Sequence, residues 1–190
     1  KNNYYVEAIG GSAGSKTSIT GSFAVMVFND NVTATVGQGS IAAGNRDVTI
    51  NADNKFLAKA LSGAISLSGG TGVGVAGSVI VSSGKTISTL ASNAIVTDAA
   101  SFTNSANAAQ DIQAFGVSVT AAAGNAVNGV TTVITSENRA EALMGVGARV
   151  TATGAVNVTA KNVFNTFSLA GGAGGGGSNG VGASASVVTV

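Results

Sequence analysis

Residues 23–28 read FAVMVF, and this stretch recurs at a fixed step along the chain. Fifty-four positions beyond Val25 stands Val79, then Val133, then Val187. The adjoining column runs Met26, Ile80, Ile134, Val188. Two neighbouring columns that stay apolar through four copies mark a repeat architecture, and that outranks any local reading. Other columns keep the same step: Ala52, Ala106 and Ala160; Leu61, Phe115 and Leu169; Val48, Phe102 and Val156. Gly37, Ala91 and Gly145 are all small, as a tight turn requires. One column departs from the rule, because Ile50, Asn104 and Val158 set an Asn among apolar partners.

Around these columns the chain alternates short β-prone runs with turn residues. The motif DVTINA at 47–52 and the run at 31–36 alternate apolar with polar, and Asn29–Asp30, Gly44–Asn45 and Gly69–Gly70 punctuate them. Runs of this kind at this spacing form an all-β pattern, and no segment carries a long helical period. The whole chain, 1–190, reads as one segment with copies at about 1–54, 55–108 and 109–162, and a partial copy at 163–190. These units fit a β-solenoid, in which each coil leans on its neighbours and like residues stack about 4.8 Å apart. The expected division of each copy is three coils of roughly eighteen residues, or two longer ones. An antiparallel sandwich is the structural alternative.

Composition narrows the function. Charged residues make up 9 % of the chain, against about 25 % in ordinary domains, and there are 28 glycines but no Pro, Cys, His or Trp. The formal net charge of +1 gives no electrostatic case for nucleic acid or for an anionic membrane surface. No apolar run is long enough for a membrane span, and none reads as a signal peptide. That leaves a cytosolic chain, or the mature or internal part of an exported one. Zero cysteine excludes a disulfide framework and thiolate metal sites.

The third copy, read through, gives ENRAEALMGVGARVTATGAVNVTAKNVF and then GGAGGGGSNGVGASASVVTV. Residues 140–147, 148–152 and 155–160 carry the string of alternating Val and Ala broken by Gly, and 31–52 carries it too. This resembles the repeats of filamentous haemagglutinin-type and leukotoxin-type adhesins of bacteria. The resemblance implies a piece of a long, secreted, surface-attached, right-handed β-helix. It implies further copies of the repeat or the rest of a longer chain as partners, with end-to-end or lateral self-association, and a host surface or glycan as a possible target. It implies no cofactor and no enzymatic activity.

Candidate chemistry is sparse. The glycine run at 171–182 has G-x-G spacings, but a β-prone run follows it where a phosphate loop needs a helix N-terminus. It reads as a tight strand connection. The eight carboxylates form no repeating column, and Glu137, Arg139 and Glu141 alternate as a solvated strand face would. A polysaccharide-binding or polysaccharide-cleaving β-helix is the other functional reading. Aromatics clustered outward among Tyr4, Tyr5, Phe23, Phe28 and Phe56 would favour it; burial would make them core.

The two columns of the central run should do different work, since adjacent strand residues point to opposite faces. The constant size of Val25, Val79, Val133 and Val187 assigns that column inward, where close packing punishes changes of volume. The column of Met26, Ile80, Ile134 and Val188 is then the lateral contact surface. The absence of polar capping motifs at either end suggests a segment of a larger fibre.

Overall fold

A computed structural model describes residues 2–190. Nine strands account for nearly all of them: β1 (Asn2–Gly14), β2 (Thr17–Val36), β3 (Gly39–Ser68), β4 (Thr71–Leu90), β5 (Ala94–Ala122), β6 (Asn125–Met144), β7 (Arg149–Ala152), β8 (Val156–Gly176) and β9 (Asn179–Thr189). They form two sheets. One runs β1-β3-β5, with both β7 and β8 paired to β5, and the other runs β2-β4-β6-β9. Every pairing is parallel, which removes the antiparallel sandwich.

Parallel neighbours need a long crossover between them. Here the crossover from each strand to its neighbour is a strand of the opposite sheet, so the chain runs out along one wall and back along the other. Side chains bridge the walls: Ser78 of β4 donates to Ser62 of β3 at 3.0 Å, and Ser118 of β5 donates to Asn128 of β6 at 2.9 Å. Tight turns at 15–16, 69–70, 123–124 and 177–178 close one end of the lap. A wider corner around 37–47, 91–101 and 145–155 closes the other.

The register places Val25 opposite Val79, Val79 opposite Val133, and Val133 opposite Val187. Side-chain bonds between neighbouring strands join residues 54 apart: Ser105 to Asn51 at 2.8 Å, Asn179 to Asn125 at 3.1 Å, and the Lys85 N–H to Asn31 Oδ1 at 2.9 Å. The expected coils of about eighteen residues are therefore overturned, because the strand eighteen residues further on is not a neighbour. At the corner the register slips, between Ala42 and Val48 and again between Val96 and Ala99. The backbone there enters the left-handed region at Gly39, Asn93 and Gly147, which occupy one column, and at Gly44 and Asp98, which occupy another. Gly, Asn and Asp tolerate that region best.

The inward column is the reverse of the expected one. Ile80 and Ile134 are fully buried, Met26 packs against them, and with Phe56, Ala58, Ala60, Ile112 and Ala114 they form the central core. Val79 and Val133 point outward, and Val25 and Val187 are more than half or half exposed. Constant side-chain size was the wrong guide. An interior built from Ala and Ser on both walls leaves gaps that Met, Ile or Val each fill, whereas a regular outer ladder of β-branched residues favours strand backbone at any depth. A second core fills the corner, where Leu90, Val96, Ala99 and Phe102 are fully buried.

Asn104, the exception in its column, is also fully buried. It accepts a hydrogen bond from Ser88 Oγ and donates to the Leu143 carbonyl at 2.9 Å, so its amide ties one wall to the other. A buried amide with both ends bonded avoids most of the cost of leaving water.

Candidate interaction surface

Each lap divides into two halves of opposite character. Beside the tight turns lie residues 6–28, 60–82, 114–136 and 168–190, and Glu7 and Lys16 are the charged residues in these four segments. All the other charged groups of the described residues lie in the half that carries the corner.

Inside the turn half the walls close on small hydroxyl side chains. Ser66 donates to Ser18 Oγ at 2.9 Å, Ser22 to the Gly63 carbonyl at 2.7 Å, and Thr120 to Asn128 Oδ1 at 2.6 Å. Thr132 and Ser168 share a hydrogen at 2.7 Å, as do Ser12 and Ser18 at 2.6 Å. Side-chain bonds this short bring the walls close together. A Cβ at Gly74 would sit 2.5 Å from Ser118 Oγ and 2.6 Å from Thr120 Oγ1, so a larger residue there would force the walls apart.

Outside, the same half is apolar. On the β2-β4-β6-β9 wall one column is Ile19, Val73, Val127 and Val181, and another is Val25, Val79, Val133 and Val187. Between them run Gly21, Val75, Gly129 and Ala183, then Phe23, Gly77, Thr131 and Ala185. The small members of these columns open a trough of about 300 Å³ lined by Val75, Gly129, Thr131, Ala183 and Ala185. Phe23 lies over Gly77 and buries it. An interior rich in hydroxyls behind an apolar outer face departs from the usual soluble wall, and a contiguous apolar face of this extent marks an interaction site.

The corner half carries the polar surface. Arg139 pairs with Glu141 at 2.6 Å on the outer face, as the alternation in the sequence suggested. Glu137 lines a groove of about 480 Å³ with Asn29, Asn31, Thr33, Lys85 and Arg139. Among the described residues no three carboxylates converge on a point that would hold a metal ion. The glycine run turns from β8 into β9 at 177–178, where Gly177 N–H donates to the Ala122 carbonyl at 3.1 Å.

The aromatics divide. Tyr4 stacks on Phe28 with centroids 4.9 Å apart, and Phe56 meets Phe28 edge-on at 5.0 Å, all against the central core. Tyr5 and Phe23 are exposed, but on opposite walls. The Tyr5 hydroxyl donates to Glu7 Oε2 at 2.8 Å, and this bond, more than burial or the nearby negative charge, raises the phenol above its ordinary pKa.

Sequence reasoning located the two columns but not the charge-free face. Its signal is the sorting of charges by position within the fifty-four-residue step. No helix of the described residues is long and apolar enough to cross a membrane. No family model, curated protein or solved structure matches the chain at a significant level.

Proposed function

We propose that this chain is a non-catalytic structural module of a bacterial surface or secreted filament. Each fifty-four-residue lap is one right-handed coil of a β-solenoid rod that serves attachment or fibre assembly. The observation that supports it is lap-on-lap register in both walls, from β1 through β9, which makes the chain a rod that lengthens by one strand spacing per lap. Right-handedness follows from the strong preference of parallel crossovers for that hand. A stiff rod holds a distal binder away from the cell or lies beside other rods. Its partners are the rest of a longer chain, further copies, and a host surface or glycan, and its setting is extracellular.

Electron microscopy of tandem fusions with two, four and six extra copies of residues 55–108 tests the rod. Length should grow by about 4.8 Å per copy. Growth of about 14 Å, the value for three short coils, contradicts it. Beads coated with the longest fusion should adhere to cells or immobilised glycans. A reducing-end assay on bacterial and host polysaccharides should detect no cleavage.

A polysaccharide-binding reading draws on one feature. Tyr5, Lys59, Leu61 and Phe115 line an outward depression of about 300 Å³, beside which Phe167 meets Phe115 at a tilt of 39° with centroids 5.4 Å apart. Glycan-array binding lost in both Tyr5→Ala and Phe115→Ala would favour it.

A further inference from the structure

The face that remains without a task is the apolar outer surface of the β2-β4-β6-β9 wall beside the tight turns. We infer that it is a self-association surface, and that its occupant is the same face of a second copy of this chain. The inference extends the rod reading to lateral pairing, and it depends on the wall and not on adhesion.

Three features single out a second copy. First, the face carries both a ridge and a trough. The ridge is the four valines at 25, 79, 133 and 187, and the trough beside it is lined by Val75, Gly129, Thr131, Ala183 and Ala185. A two-fold axis lying between the two facing walls, parallel to the columns and midway between ridge and trough, sets each ridge in the other copy's trough, which is the self-complementarity an isologous interface needs. Second, the outward residues from 19 to 27 and their partners on β4, β6 and β9 include no charged group. Two copies therefore meet there without repulsion and bury no unpaired ion. Third, the area is sufficient. Nine residues along each of four strands cover about 30 by 19 Å, or roughly 600 Å² in projection, which corrugation of the side chains enlarges. A stable dimer buries about 800 Å² per partner. Flat ladders of identical β-branched side chains, with sheets about 10 Å apart, also form the dry interdigitated contacts of paired sheets.

Sedimentation velocity over a concentration series tests this on the full 190-residue chain. The wild type should show a monomer–dimer equilibrium. Val79→Lys/Val133→Lys should raise the apparent dissociation constant at least tenfold, with the far-ultraviolet circular dichroism unchanged. Val117→Lys, an equally outward change on the opposite wall, should leave the dimer intact. If the double lysine variant does not fold, Val79→Thr/Val133→Thr keeps the β-branched shape and should weaken the dimer in the same direction. A wild type that stays monomeric at hundreds of micromolar overturns the proposal. So does association that the Val117 change abolishes and the double change does not, since that places the contact on the other wall. A monomer that floats with neutral phosphatidylcholine vesicles also overturns it, since the occupant is then lipid. Failure of the rod itself would show instead as loss of β signal in the wild type.

Discussion

The two halves of each lap solve the same problem by opposite means. Around the corner the interior is bulky and apolar, with Phe102, Leu90 and Val96 fully buried, while the outer surface carries ions such as Arg139 and Glu141. Beside the tight turns the interior carries Ser, Thr, Asn and Gly among smaller apolar groups such as Ala64, Ala76 and Val130, and a continuous set of apolar residues lies outside. The first half is held by removal of apolar area from water, roughly 25 cal/mol per Å². The second adds to a smaller apolar core a set of hydroxyl bonds between the walls, each contributing about 1 kcal/mol net. A hydroxyl zipper fixes register and wall spacing, but it leaves the apolar side chains free to meet another molecule. A single fold can thus keep one edge as its own core and offer the other as contact surface.

The sharpest way to break this comparison is to place a charge on each side of one strand. Ile134→Asp should abolish the cooperative thermal transition, because an unpaired buried carboxylate costs several kcal/mol or is neutralised at similar expense. Val133→Asp, one residue away and facing out, should retain the β-sheet spectrum. A milder contrast removes bulk from one half and a hydroxyl from the other. Phe102→Ala should cost about 3–5 kcal/mol by urea denaturation, through lost burial and the cavity left behind. Ser78→Ala should cost about 1–3 kcal/mol, since Ser62 and the Phe115 carbonyl each lose the Ser78 hydroxyl. Equal losses would mean that the halves do not differ in kind.

The smallest effect concerns Tyr5. Its folded-state phenol is raised by the bond to Glu7, so the neutral form is the one the fold favours. That contribution is fully present below the unfolded phenol's pKa and is lost as pH rises through the folded value. Ultraviolet titration should show ionisation moving to lower pH in Glu7→Gln, where the carboxylate is gone. No movement would mean that the bond is not formed in solution.

Much of the architecture was legible in the chain. The fifty-four-residue step, read from Val25 and Met26 onward, is the step at which strands pair. The parity of those columns was not legible, and the reason is physical. In residues 71–82 the alternate positions 72, 74, 76, 78 and 82 are Gly, Ala or Ser, and positions 73, 75, 79 and 81 are Val. The usual rule sends valine inward, yet walls brought within hydrogen-bonding reach by Ser62–Ser78 and Ser118–Asn128 keep most inward positions beside those bonds small, with Ile80 and Val130 filling the gaps between them. Asn104 carried the hint, because an amide among apolar column-mates needs partners across an interior. The division into eighteen-residue coils failed because a strand's length cannot be read from alternation alone once inner and outer faces are both partly apolar. The charge-free face was written in the sequence, but only as a pattern across laps.

The pairing of strands fifty-four residues apart can be tested directly, because the chain has no cysteine to interfere. Thr35 lies opposite Thr89 on one wall, and Asn51 opposite Ser105 on the other. Parallel neighbours about 4.8 Å apart fall within the Cα range a disulfide spans. Oxidation of Thr35→Cys/Thr89→Cys and of Asn51→Cys/Ser105→Cys should yield an intramolecular bond in each folded monomer, read as loss of free thiol without dimer on a non-reducing gel. Thr35→Cys/Asp53→Cys, the pair that an eighteen-residue coil would bring together, should keep both thiols free. Closure of that last pair, with the first two left open, would contradict the lap described above.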